Sequence, residues 1–165
     1  MMRWRLGFLA VVLFCAATIA FALYQQYYEF KDPCPLCIFQ RVAVMGCGVV
    51  ALMAAVLPLP RWSRFWPLLL SGVALGGLSI SLRQVYLQYF IDPASLPSCG
   101  AGLGFLFDTQ PWLQVFSSVL SGHGECAAKD EVLGLSLAIW AGLGFVAMAT
   151  SGWLIRHWQF SKEKA

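Results

Sequence analysis

"DPCPLCIFQRVAVMGCGVVALMAAVLPLP", residues 32–60, holds the key to the fold. Its last 19 residues, Val42–Pro60, carry no charged side chain. Crossing ~30 Å of hydrocarbon takes roughly 20 helical residues, so this stretch is long enough to span a membrane. At its mouth stand Cys34 and Cys37, separated by Pro35 and Leu36, with Arg41 one helical turn beyond.

Three further stretches read the same way: Leu6–Tyr24, Phe65–Leu82 and Val132–Ile155. Of the 165 residues, 59% are hydrophobic and 12% charged, against roughly 25% charged in an ordinary soluble domain. Lipid rather than water is the expected solvent. The expected fold is an all-α membrane protein, a single four-helix bundle over residues 1–165 with spans at about 6–24, 42–60, 65–82 and 132–155. Loops are expected at about 25–41 and 83–131. There is no internal repeat and no low-complexity tract.

Charge orients the bundle. Arg3, Arg5, Arg61, Arg64, Arg156, Lys162 and Lys164 flank the spans on one side; Lys31, Arg41, Arg83 and Lys129 lie on the other. Short basic loops stay in the cytoplasm, so both termini are expected inside and the two loops outside. Seven of the eight acidic residues also fall outside, with Glu163 the exception. The basic clusters serve as solvated helix ends, and no nucleic-acid patch is implied. "ATIAFA", residues 17–22, offers an alternative for the first span, a cleavable signal peptide. The apolar run exceeds the usual h-region of about 7–15 residues, so an uncleaved helix is expected.

Six cysteines divide into two groups. Cys15 and Cys47 fall inside apolar spans, where a thiol acts as a small packing residue. Cys34, Cys37, Cys99 and Cys126 fall on the outer side, where disulfides persist. Four cysteines allow three pairings; a local Cys34–Cys37 pair would leave Cys99 with Cys126. Zinc sites commonly use two Cys-x-x-Cys knuckles, and only one is present, so no metal is expected. Taken alone, Cys99–Cys126 reads as a staple across a loop. A staple between Cys34 and Cys37 removes little chain entropy because its loop is so short, so the value of that pair is chemical. Pro35 suits the first helical position, which makes Cys34 the N-cap and puts Cys37 in the first turn. The positive end of the helix favours a thiolate there. Arg41 shares their helix face. It is either a snorkelling anchor or a fixed cation offering hydrogen bonds beside the thiols.

The chain resembles the disulfide-bond formation protein B (DsbB) family of bacterial inner membranes. The resemblance rests on "PCPLCIFQR" opening the second span, the cysteine pair in the long loop, the topology, and "GLS" at Gly134–Ser136 before the fourth span. Ala138 stands where the family usually has a proline, and Trp140 lies near its tryptophan position. The resemblance implies a relay with Cys34, Cys37, Cys99 and Cys126 as the catalytic cysteines. A reduced periplasmic thioredoxin-fold oxidant (DsbA-like) attacks the Cys99–Cys126 disulfide at Cys99. Electrons then pass to Cys34–Cys37 and on to a membrane quinone, ubiquinone or menaquinone, with Cys37 next to the ring and Arg41 near a quinone oxygen. Such a protein sits in the inner membrane with its active cysteines facing the periplasm.

In the long loop, Trp112, Leu113, Phe116, Val119 and Leu120 repeat at helical spacing. They make either a short interfacial helix or one packed on the bundle. His123 reads as a solvated loop residue. Three rival functions are weaker. An oxidoreductase of the vitamin K epoxide reductase type would carry its Cys-x-x-Cys late in the chain. A scaffold with structural disulfides would resist mild reductants. A haem carrier lacks a histidine within the four stretches.

Overall fold

The computed structural model describes residues 2–28, 34–57, 64–92, 111, 113–114, 131–132 and 134–161. Four long helices dominate: α1 (Met2–Tyr28), α2 (Pro35–Val56), α3 (Phe65–Phe90) and α4 (Leu137–Ser161). Each is long and apolar enough to cross a membrane. Before α4, β1 (Glu131–Val132) pairs antiparallel with β2 (Leu135–Ser136). The chain turns there through Gly134 at φ 80°, a left-handed conformation that glycine adopts without steric cost.

Local chemistry sets the helix limits. A residue before proline is pushed out of the α region, and Cys34 before Pro35 is extended (φ −63°, ψ 157°). The helix can therefore begin only at Pro35, which occupies the first helical position. The segment 25–41, expected as a loop, is thus helical at both ends, over 25–28 where α1 runs on to Tyr28 and from Pro35 onward, and Arg41 lies in the second turn of α2. At the other end Pro58 disfavours helix at Leu57 (φ −108°, ψ 66°). So α2 stops at Val56, short of the expected Pro60. The α3 helix runs past Leu82 to Phe90, and Arg83 in this extension lies 5.5 Å from the ring centroid of Tyr86. A long cationic stem over an aromatic ring suits the interface. The fourth helix starts at Leu137 rather than Val132, because Val132 and Ser136 belong to the hairpin, and it extends past Ile155 to carry Arg156 and His157.

The helices form an up-down-up-down ring. Trp4 near the start of α1 donates from Nε1 to the Ala54 carbonyl near the end of α2, 2.8 Å away. That carbonyl would ordinarily accept from residue 58, but Pro58 has no N–H, so the indole takes its place. Gln40 of α2 meets Gln84 of α3, and Ser71 of α3 donates to the Ala149 carbonyl of α4 at 2.8 Å. Gly7 of α1 lies against Ile155 of α4. Arg3, Arg5, Arg64 and Arg156 therefore share one end of the bundle, and Cys34, Cys37 and Gln84 lie toward the other.

Small residues bring the helices close, as is usual between membrane helices. The core contains Phe8, Cys47, Ala51, Ala54, Leu70, Ala74, Phe145 and Met148, all buried. Gly77 packs closely in it: a Cβ there would run into the Phe145 ring. Large apolar side chains such as Leu13, Val49, Leu68 and Leu143 point outward, the pattern expected where lipid covers the surface.

Candidate redox site at the start of the second helix

The N-terminus of α2 builds the site. Cys34 is the N-cap, and its Sγ accepts from the Cys37 backbone N–H at 3.3 Å. A sulfur thus satisfies one of the amide groups left over at every helix start. The Ile38 N–H bonds to the Cys34 carbonyl at 3.2 Å, closing the first turn. This places the two sulfurs 2.9 Å apart, close but not joined to each other as a disulfide. A disulfide of about 2.05 Å needs them to close by only about 1 Å, and the peptide amides of the first turn point toward them.

Cys34 is buried with Leu36 against Leu87 of α3, and Phe39, Ile80 and Ile91 complete this small apolar cluster. Cys37 is half-buried. Into this setting α3 inserts one amide. Gln84, 4% exposed, donates from Nε2 to Cys37 Sγ at 3.3 Å and reaches Cys34 Sγ at 3.7 Å. Its Oε1 accepts from Gln40 Nε2 of α2 at 2.8 Å. Arg41 turns the other way: Nη1 donates to Gln26 Oε1 at 2.6 Å and Nη2 to the Ala22 carbonyl at 3.1 Å, both on α1.

Of the residues singled out in the sequence, Cys34 and Cys37 are thus side by side. Arg41 lies one turn deeper on the same helix and donates to Gln26 and Ala22 of α1. Cys99 and Cys126 lie outside the described residues, as do His123 and most of the segment 112–120. Cys15 and Cys47 are buried in the middle of the bundle, where Cys15 Sγ lies 3.5 Å from Met148 Sδ. Among the described residues no group of three or more His, Cys, Asp and Glu side chains could hold a metal.

Sequence reasoning missed Gln84 and Gln40. The signal was there: Ala74, Gly77, Ser81, Gln84 and Gln88 follow one another at three- and four-residue steps, the period of one helix face. That face is buried, so a glutamine on it must meet a polar partner.

A membrane bundle whose helix start holds two adjacent thiols in amide contact defines a class, the membrane thiol–disulfide oxidoreductases. The particular family is equally plain. The family model for disulfide bond formation protein DsbB matches residues 4–155. The chain is 43% identical over 154 residues to disulfide bond formation protein B of Chromobacterium violaceum, covering 92% of each chain. It is 42% identical over 152 residues to the Azoarcus protein of that name, covering 90% of each. With the Methylococcus capsulatus protein it shares 41% over 156 residues, covering 93% of this chain and 94% of the relative. This chain belongs to the DsbB family. It is a multi-pass membrane protein with an oxidoreductase role in disulfide bond formation.

Proposed function

We propose that this protein reoxidises a periplasmic DsbA-like thioredoxin-fold dithiol oxidase and delivers the electrons to a membrane quinone, ubiquinone or menaquinone, in the bacterial inner membrane. The observation that carries this reading is the pair of thiols 2.9 Å apart at the start of a membrane helix, with Arg41 one turn deeper. In this reading the basic end of the bundle, with both termini, is cytoplasmic. The cysteine end is periplasmic.

The relay is balanced as follows. A thiolate of the reduced partner attacks Cys99 of the Cys99–Cys126 disulfide, and Cys126 leaves. The partner's second thiolate resolves the mixed disulfide, so the partner gains a disulfide and Cys99 and Cys126 become thiols. A thiolate of that pair then attacks the Cys34–Cys37 disulfide by the same chemistry. Cys34 and Cys37 hold two electrons and two protons as a dithiol and release both when their disulfide re-forms. A bound quinone supplies a two-electron, two-proton acceptor at the membrane surface.

The residues present fit such a group. Cys37 is half-buried, so one side of its sulfur can be reached. Arg41 has five N–H donors, and its bonds to Gln26 and Ala22 use one on each terminal nitrogen. Cys37 would lie against the ring and Arg41 would hold a ring oxygen. The decisive experiment supplies the purified protein with a reduced DsbA-like oxidant and follows quinone reduction. Stoichiometric quinol formation with partner oxidation is expected; a protein that oxidises the partner without reducing quinone would sink the quinone assignment.

A further inference from the structure

We propose that Gln84, oriented by Gln40, is the hydrogen-bond donor that holds negative charge on the Cys34–Cys37 pair, above all on Cys37. The inference rests on the relay reading for its place in turnover. Its physical content is narrower: a glutamine amide on α3 stabilises the thiolate form of a dithiol on α2.

The geometry has three parts. The first is contact. Gln84 Nε2 reaches both sulfurs, at 3.3 Å to Cys37 and 3.7 Å to Cys34. The second is environment. Cys34 and Gln84 are buried, with Leu36, Leu87, Ile80 and Ile91 packed around the pair, so a donor to a charged sulfur is worth more than it would be in solution. The third is orientation. A glutamine amide can present either its oxygen or its NH2 group to a neighbour. A thiolate has only lone pairs to offer, so a charge-holding arrangement needs the NH2 group on the sulfur side. That leaves Gln84 Oε1 facing away, and it must find a donor. Gln40 Nε2 fills that role at 2.8 Å. Gln40 is itself buried, 8% exposed, and its bond prevents the Gln84 amide from turning over without loss. Gln84 touches reacting atoms and acts directly; Gln40 is a positioning residue.

The consequence for exchange follows. When Cys34–Cys37 is attacked, one sulfur leaves as a thiolate, and leaving is faster the better that charge is held. When the dithiol re-forms its disulfide, the same amide maintains the attacking thiolate. Gln84 also favours the reduced pair over the disulfide, since a disulfide sulfur is the weaker acceptor.

The test uses the full chain in detergent, with methionine as a donor-free replacement of similar length. Two quantities are read on the peptide containing Cys34 and Cys37 by mass spectrometry: the rate of Cys37 alkylation by iodoacetamide at one fixed pH, and the dithiol–disulfide equilibrium in glutathione buffers. Losing a bond to a charged group lowers the thiolate population roughly tenfold or more. In Gln84→Met the alkylation rate is therefore expected to fall roughly tenfold. The glutathione equilibrium should move about tenfold toward the disulfide, a change of about 30 mV. Gln40→Met leaves Gln84 in place and should move both readings in the same direction by a smaller factor.

Wild-type alkylation and equilibrium in folded Gln84→Met overturn the proposal. If that variant does not fold, Gln40→Met decides alone, and wild-type readings there overturn it. A shifted Gln84→Met beside an unshifted Gln40→Met overturns the orienting role. Neither measurement uses quinone or a protein partner, so a failure of the relay reading appears separately, as absent quinone reduction with these shifts intact.

Discussion

The bundle contains two neighbourhoods of paired cysteines, and their contrast is instructive. Cys15 and Cys47 sit among Phe8, Ala51, Ala74, Phe145 and Met148, with Cys15 touching a methionine sulfur. Cys34 and Cys37 sit at a helix start with a peptide N–H, a glutamine amide and partial access. Burial alone does not distinguish the two pairs, since Cys34 is also buried. The difference lies in donors. A thiolate in the middle of the bundle would have only apolar groups and a thioether around it, so those cysteines pack. A thiolate at the α2 N-terminus finds the helix amides and Gln84, so those cysteines can react.

The sharpest way to break this contrast is to remove sulfur from each neighbourhood. Serine cannot relay a disulfide, so Cys34→Ser or Cys37→Ser should abolish quinone reduction by a reduced DsbA-like partner. Cys99→Ser and Cys126→Ser should abolish it too, by stopping the step before. Cys15→Ala and Cys47→Ala should turn over at near wild-type rates in the same assay. Loss of turnover in either alanine variant, with the fold intact, would erase the distinction.

Arg41 probes the reactive end further. Arg41→Gln should slow the quinone step by roughly 10- to 150-fold, the worth of one charge-assisted bond. Oxidation of the partner by Cys99–Cys126 should be nearly untouched. Arg41→Lys keeps the charge without the planar fork and should rescue only part. Stopped-flow measurement of the two half-reactions separates the steps. Unchanged quinone kinetics in Arg41→Gln would leave Arg41 as a tie between α2 and α1 through Gln26 and Ala22.

The packing end should answer in stability rather than in rate. Gly77→Ala forces a methyl into the Phe145 ring, and overpacking of this kind costs about 1–3 kcal/mol. Thermal unfolding in detergent should register the loss, while the glutathione equilibrium of Cys34–Cys37 stays put. The smallest effect belongs to Trp4→Phe. It removes the indole donor from the Ala54 carbonyl, which Pro58 cannot replace. About 1 kcal/mol of stability is expected to go with that bond, again read by thermal unfolding.

Four helices were legible in the chain because a membrane helix must be long and apolar throughout, and both properties are local. The Cys-x-x-Cys at a helix start was equally legible. Pro35 forbids Cys34 a helical conformation and permits its own, so two adjacent residues determine where α2 begins. Helix lengths were less legible. The α3 helix continues past Arg83 and α4 past Arg156, because a helix does not stop where hydrocarbon does. The hairpin before α4 was missed for a related reason: Val132 and Leu135 are as apolar as the span they precede, and hydropathy does not distinguish a strand from a helix in a short run.

By itself, then, the sequence determined a membrane bundle, its basic end, and a cysteine pair capped onto a helix start, since each follows from neighbours along the chain. Only the tertiary structure decided which amide meets those sulfurs and where Arg41 turns. Gln84 lies 47 positions from Cys37, and Ala22 lies 19 from Arg41. No local preference encodes such distances. They are settled by how α3 and α1 pack on α2, where close approach depends on small residues and every buried polar group must find a partner.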